Sequence, residues 1–163
     1  MYQTIIIAYD GTAVGDAALH EAAALARLCE ARLHILAIVV TTGGLLLDPA
    51  TVSIDLLESE RQCLHQALDK AAQRLARQGL IATTCIRDGD PAAEIVAYAH
   101  EIKADLVVTG HNHKGMLARW FEGSVATRLA DTMPCSMLIV TDTTHSHKGP
   151  GRAHTDDHAR QRL

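Results

Sequence analysis

The chain has 163 residues, 48% of them apolar but only 3% aromatic, and a formal net charge of −4. That length supports one domain with a single core filled by Ala, Leu, Val and Ile, as in layered α/β folds whose strands are buried on both faces. The acidic balance and scarcity of stacking aromatics exclude a dedicated nucleic-acid binder, and no apolar run reaches membrane-spanning length.

Residues 4–9 form a β-branched apolar run without alternation, the pattern of a central strand. They stand at the N-terminus in place of a signal peptide, so a cytoplasmic protein is expected. Asp10-Gly11-Thr12 breaks the run. From Val14 to about Glu30 an alanine-rich helical pattern puts Ala18, Ala22, Leu25 and Cys29 on one face. A second strand is expected at 33–40 and a loop at 41–50. A long helix over about 52–78 follows, with Leu57, Leu64, Leu68, Ala71 and Leu75 on one stripe and Gly79 as its stop.

A third strand is expected at 82–87. Asp90 then caps a helix over about 92–102, with Pro91 in its first position. The fourth strand, 105–109, opens a long loop over 110–122 that contains a short helical piece at 116–121. A further helix runs from near Ser124 to Thr132, and the last strand is Ser136 to Val140. Strands alternating with helices imply right-handed βαβ units and a mainly parallel sheet between helical layers: a single doubly wound α/β domain over 1–142. From Thr144 the apolar pattern disappears, so 143–163 reads as a disordered, histidine-containing tail. The four cysteines, Cys29, Cys63, Cys85 and Cys135, show no C-x-x-C pairing and read as small buried hydrophobes kept reduced.

In an open parallel sheet, ligands collect at the C-terminal strand ends where the winding direction reverses. Two such ends carry ligand-type residues here: Asp10-Gly11 after the first strand, and Gly110 with its loop after the fourth. If those strands are neighbours, both face one crevice. Asp10 then accepts a hydrogen bond from a base amine or ribose hydroxyl, or it is a turn carboxylate that caps the first helix together with Thr12. Gly123 and Ser124 offer N–H groups and a hydroxyl to a phosphate, or form an ordinary N-cap.

The run Tyr9-Asp10-Gly11-Thr12, the helix from Ala17, Gly89-Asp90-Pro91, the segment from Ala104 to Gly110, and Gly123-Ser124-Val125-Ala126 leading to Pro134 and the last strand together resemble the universal stress protein family over nearly all of 1–140. The resemblance implies a five-stranded parallel sheet, a nucleotide-binding fold of the adenine nucleotide alpha hydrolase type, and a homodimer formed through the final strand, Ser136 to Val140. Pairing would also cover an exposed apolar edge. The family's ATP-binding branch has a glycine, two residues, a second glycine, nine residues, then glycine and serine or threonine. Gly110, Gly123 and Ser124 keep that spacing, while His113 replaces the second glycine.

By carry-over, Asp10 with its neighbours Gly11 and Thr12 and the backbone near Val39 and Val40 hold adenine. Gly110, Gly123, Ser124 and Val125 hold phosphates. A β-carbon at His113 hinders close backbone approach to phosphate, although histidine tolerates left-handed geometry and Gly115 can shift the turn. His111 and His113 read in three ways: phosphate donors, metal ligands joined by His145, His147, His154 or His158 of the tail, or a solvated polar loop. The expected function is regulatory binding of an adenine nucleotide, ATP or AMP, with or without Mg²⁺, in a stress response. The protein is expected to be no enzyme beyond slow incidental hydrolysis, and to have a further regulatory protein partner. The alternative is a nucleotide-free homodimeric interaction module, metal-responsive through the loop and tail histidines.

Overall fold

Thr4–Ala8 (β1) is buried along its whole length and lies in the middle of a five-stranded sheet whose strands, numbered in chain order, run 3-2-1-4-5. The computed structural model describes residues 1–40, 54–111 and 132–141. The other strands are Arg32–Val40 (β2), Ala82–Gly89 (β3), Leu106–His111 (β4) and Ser136–Thr141 (β5), and every pairing between neighbours is parallel. The helices are Ala13–Cys29 (α1), Ile54–Arg77 (α2) and Pro91–Glu101 (α3). The expected strands and helices that fall in the described segments are therefore present, with β3 and β4 each extending two residues beyond their expected ends. The expected loop at 41–50, the pieces at 116–121 and 124–132, and the tail at 143–163 lie outside the described residues, Thr132 excepted.

Successive residues of β1 point to opposite faces, so the strand feeds two cores. Ile5, Ile7 and Tyr9 pack with α1 and α2, whereas Ile6 and Ala8 pack with Ile95, Tyr98 and Ala99 of α3. Alanines at 18, 22, 23 and 26 let α1 lie close to the sheet. The buried stripe of α1 thus passes through Val14, Ala18, Leu19, Ala22, Ala23 and Ala26. Leu25 and Cys29, expected on that face, are only partly buried, because two sheet-facing residues per turn pull the stripe to the other side. In α2 the expected stripe holds: Leu64, Leu68, Ala71 and Leu75 are buried and Leu57 packs at its margin.

The chain ends its elements with local chemistry. Gly79 has φ +78, its N–H donates to Ala76 O, and Leu80 N–H donates to Leu75 O at 3.0 Å, the paired bonds of a Schellman stop. Asp90 accepts from Ala93 N–H at 3.0 Å with Pro91 in the first turn, as expected from the sequence. On the α3 face, His34 Nδ1 and the Tyr98 hydroxyl are 3.0 Å apart, and the Arg87 guanidinium lies 4.9 Å from the Tyr98 ring centroid. None of the cysteines is fully buried, and Cys63 is exposed on α2, which corrects the expectation of four buried thiols. No described helix is long and apolar enough to cross a membrane.

The winding reverses beside β1. The chain steps outward through β2 and β3, then α3 returns it across the sheet to β4 on the other flank of β1. Asp105 secures that junction: its Oδ2 accepts from Gln3 N–H at 2.6 Å and Thr4 N–H at 2.9 Å, which fixes the start of β1 beside the start of β4. β1 and β4 are therefore neighbours, and their C-terminal ends share the crevice that the sequence pointed to.

Candidate functional site

Ala8 pairs with Leu36 on one side and Thr109 on the other, so the turn Tyr9-Asp10-Gly11-Thr12 leaves the sheet between the ends of β2 and β4. Gly11 has φ +76, a geometry that favours glycine, and Thr12 caps α1. Asp10 Oδ1 accepts from Thr12 N–H at 3.0 Å and from Thr12 Oγ1–H at 2.6 Å, and Thr12 Oγ1 accepts from Gly15 N–H at 3.1 Å. Asp10 is thus a turn carboxylate that braces the cap Thr12, and this role occupies one oxygen. Oδ2 has no hydrogen-bond partner among the described residues and remains an acceptor at the strand end.

Asp10 lines a shallow, mostly apolar notch with Ala8, Leu36, Ile38, Pro91 and Ile95. Its volume within the described residues is only about 10 Å³, too small to enclose a ring. The carried-over residues on β2 divide. The Val39 side chain is buried in the core under α1 and α2, so only its backbone can serve a ligand, while Val40 is half-buried at the strand end beside Gly89.

Gly110 has a structural duty that spacing did not reveal. A β-carbon there would lie 2.7 Å from Val14 O and 2.8 Å from Val14 Cγ1, because the first turn of α1 rests against the end of β4. Gly15 is crowded by a side chain instead, since its β-carbon would meet Asp10 Oδ1 at 2.8 Å. Sequence reading missed Gly15; its spacing three residues after the N-cap Thr12 was the available sign. For His111 the backbone is described, as the last residue of β4 opposite Thr141. His113, Gly115, Gly123, Ser124 and Val125 lie outside the described residues, as do the tail histidines. Among the described residues no group of His, Cys, Asp and Glu is arranged to hold a metal ion.

A second, larger pocket than the notch lies between the start of α1 and α2, with a volume of about 590 Å³. Tyr9 forms part of its wall as well as part of the notch, so it separates the two. The Tyr9 hydroxyl donates to Asp16 Oδ1 at 2.6 Å, and Arg74 Nη2 donates to the Tyr9 oxygen at 2.9 Å and to the same Asp16 oxygen. Burial, followed by the bond to Asp16, pushes the Tyr9 hydroxyl up to about 12, while the bond from Arg74 holds the Asp16 carboxyl below its ordinary value. Burial likewise pushes Tyr98 up to about 12.

Two outcomes follow from this geometry. Gly110→Ala lowers unfolding free energy by about 1–3 kcal/mol in urea titrations, since Val14 backbone must move. An unfolded tyrosine ionises near pH 10, whereas Tyr9 keeps its proton to about 12. Its contribution is therefore complete below about pH 10 and is lost as pH rises through the folded value, because the unfolded chain releases the proton first. Unfolding free energy of Tyr9→Phe consequently falls less steeply than that of the unaltered chain across this alkaline interval.

Residues 1–141 match the universal stress protein family. A universal stress protein of Methanocaldococcus jannaschii is 33% identical over 141 residues, which cover 86% of this chain and 82% of that one. Among solved structures, UspA from Lactobacillus plantarum superposes with a TM-score of 0.70 at 25% identity, covering 85% of this chain and 97% of its own. A universal stress protein solved in complex with cAMP has a TM-score of 0.64 at 25% identity, with coverage of 85% and 97%. The fold, the reversal beside β1 and the extent of the match agree: this chain belongs to the universal stress protein family.

Proposed function

We propose that this chain is a regulatory stress-response protein that binds an adenine nucleotide, ATP or AMP, at the ends of β1 and β4. The observation that carries the reading is Asp10. One of its oxygens holds the turn rigid through Thr12, and the other is left as an acceptor beside an apolar notch at the winding reversal. An exocyclic amine supplies the donor that this oxygen lacks, and a purine face suits Leu36, Ile38 and Ile95. A relative of the same fold solved with cAMP supports an adenine ligand.

In this reading Gly11, Thr12 and the backbone of Val39 and Val40 frame the base. Gly110, Gly123, Ser124 and Val125 carry phosphates, with Mg²⁺ as counter-ion for a triphosphate and His111, His113 and Gly115 around them. The role is binding rather than turnover, with hydrolysis at most slow. We place the protein in the cytoplasm, with a protein partner that reads the bound state, and treat 143–163 as a tail outside the domain.

The second reading, a nucleotide-free interaction module, is favoured by one residue: His113 stands where the ATP-binding branch has glycine. Denaturing the purified full chain and chromatographing the supernatant separates the two, together with melting scans on addition of AMP, or of ATP with Mg²⁺. Release of an adenine nucleotide or a raised Tm is expected, and Asp10→Asn, which keeps an oxygen for Thr12, weakens binding about tenfold. Neither release nor shift overturns the nucleotide reading, and gain of binding by His113→Gly then establishes the second.

Dimerisation is proposed through β5. It pairs only with β4 among the described strands, and its outer edge leaves Ile139 38% exposed. Such an edge is covered by pairing with a second copy. Sedimentation of the full chain as a dimer, converted to monomer by Ile139→Lys, is expected; a monomeric unaltered chain overturns it.

A further inference from the structure

The cleft between α1 and α2 lies on the opposite face of β1 from the notch, and it shares with the adenine reading only the turn at Tyr9 and Gly11. It exists because two small residues meet there. Gly11 has no side chain, and a β-carbon at that position would stand 3.3 Å from Ala67 Cβ. Its volume, about 590 Å³, falls in the range of sites for small organic ligands, roughly 300–1,000 Å³.

The lining is strongly biased in charge and in hydrogen-bonding sense. Lys70, Arg74 and Arg77 recur on one face of α2, and Gln66 and Gln73 add amides beside them. Asp16 is the one carboxylate in the wall, and its Oδ1 is already taken by Tyr9 and Arg74. Lys70 and Arg77 form no ion pair among the described residues. The Arg74 Nε–H finds no acceptor, so that guanidinium is incompletely bonded where it stands. Turning towards an anion in the cleft gives it one. Donors thus exceed acceptors, while the Tyr9 ring, Ala67 and the aliphatic stems of the cations give the cleft an apolar part.

We propose that the α1–α2 cleft is a second ligand site, which takes a small phosphorylated organic molecule with Lys70 and Arg77 on its phosphate. A phosphate is an acceptor-only, doubly charged group, which answers both the donor excess and the positive charge. The site stands apart from the adenine reading, and neither depends on the other.

The test uses the isotope-labelled full chain titrated with pyrophosphate in magnesium-free buffer at low ionic strength, read through backbone amide shifts. Saturable shifts centred on Cys63, Gln66 and Ala67 of α2 are expected. Lys70→Ala with Arg77→Ala weakens the affinity about tenfold. Lys103→Ala, which removes an exposed cation after α3, leaves it unchanged. Titration of glycerol 3-phosphate then reports the organic part, and it binds more tightly than inorganic phosphate. The proposal is overturned by the absence of saturation or by equal weakening in Lys103→Ala. Shifts gathered around Gly110 instead of α1 and α2 also overturn it, since they place the probe at the other crevice.

Discussion

A strand that has no exposed face obliges the chain to build a layer on each side of it. Thr4–Ala8 is such a strand, and the two layers draw on alternate residues, Ile5 and Ile7 for α1 and α2, Ile6 and Ala8 for α3. Each of these larger side chains contributes about 1.5–3 kcal/mol on burial. The winding reversal follows from the same requirement, because helices must reach both faces and the chain can cover the second only by returning across the sheet. The crevice at the ends of β1 and β4 is therefore a product of core formation. Its ligand-type residues decorate a position that the packing had already opened.

Close approach sets the dimensions of that crevice. The first turn of α1 leans on Gly110 of β4, and Gly15 in the same turn gives room to the Asp10 carboxylate. Thr12 completes the arrangement by bonding Asp10 on one side and capping the helix on the other. A carboxylate held by one oxygen has a fixed direction for the second, which costs a ligand no ordering of the side chain. The structural role of Asp10 and the binding role proposed for it are in this sense one arrangement.

The sheet was legible in the sequence because unbroken β-branched runs and alanine-rich helical spacing are local signals. The cap at Asp90 and the stop at Gly79 were read correctly for the same reason. Burial on α1 was misjudged by a fraction of a turn, since which flank of an alanine helix meets the sheet depends on neighbours distant in sequence. At the site, spacing found Asp10, Thr12 and Gly110 but could not reveal that Gly110 accommodates Val14, a contact across the fold. The cluster of Tyr9, Asp16 and Arg74 was missed altogether. Its residues lie on a strand end and two helices, and only the regular cation spacing along α2 hinted at a charged face. The family likeness carried more of the functional reading than any short motif did.

The Asp105 bonds to Gln3 and Thr4 span 102 and 101 residues of chain. During synthesis, β1 emerges long before the strand that will flank it. It can pair with β2 and shelter Ile5 and Ile7 beneath α1 early, since Thr4 aligns with Arg32 only a short distance downstream. Ile6, Ala8 and one whole edge stay open until α3 and β4 arrive. The half-built domain thus presents an apolar face and an unpaired strand edge to its surroundings, the combination most prone to misassociation. The chain thus completes its fold through contacts between segments more than 100 residues apart.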